Sequence, residues 1–164
     1  DLKGKNLGLV DPNSTSGNTV PRYVMHQMKI DPDKFFGKVV YTGTHENAVI
    51  ALQQGTVDVA ANWWNSDNES NLGRMVRNKM ARAEDFRIIF KSDLIPSSPT
   101  AYLSDLPADM KAAIAQAFFD ASKEAPEAFA KVSNTGAWGT VKHEAYVPVI
   151  ELNRFVDNLR RQRQ

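Results

Sequence analysis

The sequence contains no cysteine, which excludes disulfides and thiolate chemistry but leaves the compartment open, because exported proteins can also lack it. No apolar stretch approaches the ~20 residues that a membrane-spanning helix needs. Nor does a signal-peptide pattern open the sequence, which starts at Asp1 with a polar turn. The net charge is only +1, so there is no electrostatic case for a nucleic-acid partner or an anionic lipid surface. Signatures of catalysis are missing as well. There is no G-x-x-x-x-G-K-[ST] loop for nucleotide hydrolysis and no G-x-S-x-G elbow for a serine nucleophile. There is no H-E-x-x-H, and His26 and His143 fall on different predicted helices, so no metal site is expected. Glu46, Asp58 and Asp93 show no convergent pattern for paired-carboxylate chemistry. Asp58 falls inside a strand predicted to be buried, where a lone carboxylate is costly, so it is expected to hydrogen-bond a neighbouring turn. These absences point away from an enzyme, and no cofactor is expected.

What remains is a chain of 164 residues, long enough for one domain or two small lobes with a hydrophobic core. Its first two-thirds alternates short apolar runs with amphipathic helical patterns, the signature of α/β architecture. Strands are predicted over 5–10, 39–42, 57–61 and 87–90, with a further brief one over 100–103. Helices are predicted over about 18–28, from His45 or Glu46 to Gln54, and through 74–80. Gly55 stands where a helix C′ glycine belongs. The polar run 65–71 reads as a loop. Beyond Ser97, Ser98 and Pro99 the pattern is helical, with Asp105-Leu106-Pro107 as an N-cap and early proline. The expected organisation is an α/β lobe over 1–92 and a mainly helical segment over 93–164.

The most informative stretch is Asp11 to Asn18. A strand, then Ser14, Thr15, Ser16 and Gly17, then a helix place hydroxyls and free backbone N–H groups at a helix N-terminus. That end suits a phosphate, phosphonate, sulfate or carboxylate group, and Gly17 would let the backbone approach the anion closely. The alternative is an N-cap loop with nothing bound. His45 follows the second strand, which in a parallel sheet puts it on the same C-terminal edge, where ligands gather. It can donate to an anion's oxygen or serve as a local cap. Asp93 closes the fourth predicted strand on that edge, as a partner for a ligand ammonium group or as a turn aspartate. Trp63, Trp64 and Asn65 follow the third strand there too. Adjacent tryptophans cannot both point one way, so one can line a cleft while the other packs.

Taken together, the segments DLKGK, LGLVDPNSTSG, YTGTHENAVIALQQGTVDVAANWW and FRIIFKSDLIPSSP resemble the C-terminal half of phosphonate-binding proteins, the solute receptors of ABC importers. The pairing of DPNSTSG with a later G-[ST]-H segment carries most of the specificity. The resemblance covers nearly the whole chain and is weakest over 120–142. It implies a type II periplasmic binding protein fold, with two α/β lobes that close on ligand, a periplasmic location and a membrane permease as partner. It also implies that Ser14, Thr15, Ser16 and His45 hold the phosphonate oxygens. Asp93 would then pair with the amino group of a ligand such as 2-aminoethylphosphonate. A second acidic residue of the family falls here at Asn65, with Asp67 close by, so the amine half of the site departs from the pattern.

The resemblance further implies that the chain begins where the second lobe begins, and that the first part of the other lobe is absent. The apolar faces carried by Ile114 and Phe118, and by Val149, Ile150 and Val156, then need another home: a second copy in a homodimer, the 1–92 lobe, or a longer chain. Two other functions stay open. One is a half-receptor that binds weakly or not at all. The other is a phosphate- or phosphonate-handling enzyme that would use His45 beside Ser14 or Ser16.

Overall fold

A computed structural model describes residues 2–66, 69–133 and 136–161. Contacts divide the chain into two units, Asp1–Ile95 with Pro148–Gln164, and Pro96–Val147.

The first unit is α/β. Its sheet has three parallel strands in the order β2-β1-β3, with β1 at Asn6–Leu9, β2 at Lys38–Tyr41 and β3 at Val59–Ala60. A π-helical turn, Thr15–Thr19, runs into helix α1, Val20–Gln27, and a short α2 spans Pro32–Phe35. Helix α3, His45–Gln53, connects β2 to β3. Such crossovers are how consecutive strands become parallel, and they bring all three strand ends to one edge.

Leu7, Leu9 and Phe36 form the core on one side of the sheet, packed by Met25, Val39 and Val59. Leu9 is fully buried, a contribution of about 1.5–3 kcal/mol for a side chain of its size. A second cluster, Val49, Met75 and Ala81, joins α3 to α4, Asn71–Arg77. Helix α3 ends as its sequence predicts. Gly55 takes a φ of +68°, a left-handed conformation in which side chains are strained, and the Thr56 N–H bonds back to the Ala51 carbonyl.

Several predicted elements come out differently. Residues 87–90 form no strand. They stand off from β3 across an open groove of about 820 Å³ lined by Val59, Ala60, Trp64, Ile88, Ile89 and Phe90. A run as short as these four residues, three of them apolar, becomes a strand only where a partner edge pairs with it, and that is a non-local condition. Residues 100–103 are likewise irregular. The stretch predicted as a loop over 65–71 instead contributes to an antiparallel pair, β4 at Trp64–Ser66 and β5 at Glu69–Ser70. It also supplies Ser70 as the N-cap of α4, accepting the Gly73 N–H. Asp58 is exposed rather than buried. It lies just ahead of β3 and accepts the Asn6 N–H at 2.7 Å, satisfying the first residue of β1.

The second unit is helical, with α5 at Ala108–Glu124 and α6 at Pro126–Val132. Pro126 cannot continue α5 and opens α6 instead. Pro107, not Asp105, is the N-cap of α5, and no side chain caps that end. Phe118 and Phe129 both pack on Trp138, with ring centroids 4.7 and 5.1 Å apart.

Helix α7, Val147–Arg161, returns mainly to the first unit. Leu152 and Val156 are buried there, and Phe155 packs edge-on to Tyr23 and against the ring of His26. Of the three homes open to this apolar face, the chain itself supplies one.

Candidate functional site

The C-terminal edge of the sheet gathers three loops. The one after β1 is built tightly. Asp11 Oδ1 accepts the Asn13 N–H at 2.8 Å, and the Val10 N–H reaches the Gly17 carbonyl at 3.0 Å. Ser14 is the N-cap of the turn, and its Oγ accepts the Gly17 N–H at 3.0 Å. That leaves the N–H groups of Thr15 and Ser16, the first two positions of the turn, without an intrahelical acceptor. Gly17 has a packing role, because its missing Cβ leaves room for Val10. A Cβ there would lie 2.3 Å from Val10 Cγ2.

Asn18 pins this loop from beneath. It is buried, with Nδ2 donating to the Pro12 carbonyl at 2.9 Å. Its Oδ1 accepts from Arg22 Nε at 3.0 Å and from the Tyr41 hydroxyl at 3.2 Å. Arg22, itself buried, extends the network to Asp33 at 3.3 Å. A buried amide with each polar atom partnered holds one conformation firmly.

The second loop, after β2, starts α3. Thr44 is the N-cap, accepting the Asn47 N–H at 3.0 Å, and His45 is the first helical residue. Its Nε2 lies 3.5 Å from Ser16 Oγ, so two of the loops meet there. The third loop, after β3, brings Asn62. Its Oδ1 lies 2.8 Å from His45 Nδ1 and its Nδ2 donates to the His45 carbonyl at 2.9 Å. Burial, the largest influence, lowers the pKa of His45 below 6.5. The Asn62 hydrogen bond and the Glu46 and Asp11 carboxylates act against it, and Arg74 acts with it. The imidazole is therefore neutral near neutral pH.

The structure thus brings Ser16 and His45 together, with Ser14 and Thr15 in the same turn. Asn65 lies on β4, exposed, and Asp93 is exposed in the irregular stretch after residue 90. Asp67 lies outside the described residues. The adjacent tryptophans carry different cations: Arg74 is 5.8 Å from the centre of the Trp63 ring, and Lys91 Nζ is 3.4 Å from that of Trp64. Among the described residues no group of three or more His, Cys, Asp or Glu is placed to hold a metal ion.

A family model described as "ABC transporter, phosphonate, periplasmic substrate-binding protein" matches residues 1–146. The chain belongs to that family. The Phosphonates-binding periplasmic protein of Escherichia coli (strain K12) is 30% identical over 156 residues, which are 93% of this chain and 44% of that protein. The chain therefore spans less than half the length of this curated relative. A phosphonate substrate-binding family of ABC transporters is a family of receptors and not of enzymes.

Two residues of the site escaped the sequence reading, Asn18 and Asn62. Both are polar residues whose partners lie on other elements, and asparagine after a strand or within a turn reads simply as loop chemistry. The usable signal for Asn62 was its place directly after the third strand, on the edge where Ser16 and His45 were already expected.

Proposed function

We propose that residues 1–92 act as the ligand-holding lobe of a type II periplasmic binding protein for alkyl- or aminoalkylphosphonates, such as 2-aminoethylphosphonate. In this reading residues 93–164 are the hinge return and a segment of the other lobe, with α7 packed back on the first unit, and the receptor delivers its ligand to a membrane permease from the periplasm. Ser14, Thr15, Ser16 and His45 hold the phosphonate oxygens; Asp93 and Asn65 face the amine. The observation that carries the reading is the 3.5 Å approach of Ser16 Oγ to His45 Nε2 at the sheet's C-terminal edge, where open α/β sheets take their ligands. Lobe closure would turn ligand affinity into a shape that the permease recognises.

The share of the relative that the chain spans favours a second reading, in which this chain alone binds weakly because the opposing wall of the cleft is not supplied. Equilibrium titration with 2-aminoethylphosphonate, followed by tryptophan fluorescence, tests the choice. Saturable binding that Thr15→Ala weakens supports the first reading. A folded chain that does not respond supports the second.

A further inference from the structure

Asn62 is held in one orientation by two backbone groups that leave no ambiguity. Its Oδ1 accepts the Trp63 N–H at 3.0 Å, and its Nδ2 donates to the His45 carbonyl at 2.9 Å. Reversing the amide would set a donor against a donor and an acceptor against an acceptor. The same Oδ1 lies 2.8 Å from His45 Nδ1. An acceptor there requires the ring proton to sit on Nδ1. In the neutral ring, Nε2 then carries a lone pair, and that lone pair faces the Ser16 hydroxyl at 3.5 Å.

A lone pair repels a bare anionic oxygen but accepts from a P–OH group. The charges around His45 act in the same sense. Asp11 on the first loop and Glu46 on α3 both act on it electrostatically, and Arg74, which acts in the opposite sense, is ion-paired to Glu46. Two acidic neighbours disfavour a second negative charge on the ligand.

We propose that Asn62 is a positioning residue that commits His45 to its Nδ1–H form, so that the site selects an oxyanion carrying a proton. This inference rests on the phosphonate reading and narrows it. The species taken up is the singly charged hydrogen phosphonate, with its P–OH donating to His45 Nε2 and its remaining oxygens on the Ser14–Ser16 turn. Sulfate, which has no proton near neutral pH, is rejected. Below the pKa of His45, Nε2 gains a proton and becomes a donor, and the discrimination against sulfate is lost.

The test has two arms. In the ligand-free chain near neutral pH, long-range proton–nitrogen NMR of His45, assigned against His45→Gln, is expected to show the proton on Nδ1. Asn62→Leu is expected to redistribute it. A proton on Nε2 in the unsubstituted chain would overturn the proposal. In the second arm, methylphosphonate and sulfate are titrated near neutral pH and again well below the ordinary histidine range. Methylphosphonate should be preferred by about tenfold or more at neutral pH, the scale of one charge-assisted hydrogen bond, and the preference should shrink on acidification. Asn62→Asp, whose carboxylate would keep the imidazole protonated, should gain sulfate binding at neutral pH. Equal affinity for the two anions at neutral pH overturns the selectivity. Binding of neither anion, with the Nδ1 proton in place, overturns the selectivity for this chain and favours the half-receptor reading, while the role of Asn62 in setting the tautomer stands.

Discussion

Gly17 and Val10 occupy one another's space: any side chain at position 17 would place its first carbon 2.3 Å from Val10 Cγ2. The constraint sits inside the turn that carries Ser14, Thr15 and Ser16. Gly17→Ala should therefore cost about 1–3 kcal/mol, the usual range for overpacking, and should distort the turn. Urea unfolding measures the first effect. An unchanged midpoint would show that the loop can yield without loss.

Ser14 and Thr15 are neighbours with different duties. Ser14 Oγ caps the turn, so Ser14→Ala should lose about 1 kcal/mol of stability whether or not ligand is present. Thr15 is assigned to the ligand alone. Thr15→Ala should leave the unfolding midpoint within error and weaken phosphonate binding by about 1–3 kcal/mol. If both variants lost stability equally, the division of labour would be wrong.

Asn18 should be less tolerant than its polarity implies. Asn18→Leu removes the partners of the Pro12 carbonyl, Arg22 and Tyr41, and leaves a buried guanidinium short of an acceptor. A loss of about 1–3 kcal/mol is expected, read as a lower urea midpoint. Tyr41→Phe, which removes only one of the bonds, should cost less.

His45 supplies a pH dependence whose sign follows from its lowered pKa. In the unfolded chain the imidazole takes a proton as pH falls through its ordinary value of 6.5, while the folded chain resists until lower pH. The unfolded state then binds more protons, so stability falls on acidification across that window and levels off below the folded pKa. Well above 6.5 both states are neutral and His45 contributes no slope. Urea midpoints measured against pH should show the decline in the unsubstituted chain and a shallower one in His45→Gln. Identical slopes would mean that burial does not disfavour the charged ring.

Much of this was legible before any coordinates. The 2-1-3 parallel order accommodates the strand and helix pattern read from the sequence. The positions of the Ser14–Ser16 turn, His45 and the C′ glycine Gly55 follow from local rules about strand ends and helix caps. What escaped depends on partners distant in sequence. Residues 87–90 have the composition of a strand but do not pair with the free edge of β3, and Asp58 lies outside β3, its exposed carboxylate accepting the Asn6 N–H from β1. Asn18 and Asn62 acquire their roles only when Tyr41 and His45 arrive from other elements. Gly17 was read from the sequence as room for an anion to approach the backbone; its close fit against Val10, seven residues earlier, belongs to packing.

The central claim is that the loop carrying Ser14–Ser16 and the residue His45 form a phosphonate site, and isothermal titration of the purified chain with 2-aminoethylphosphonate, against phosphate as control, tests it most directly. The account predicts saturable heat that favours the phosphonate and weakens in Thr15→Ala. Equal heat with phosphate and the phosphonate, or equal heat in Thr15→Ala, would contradict it.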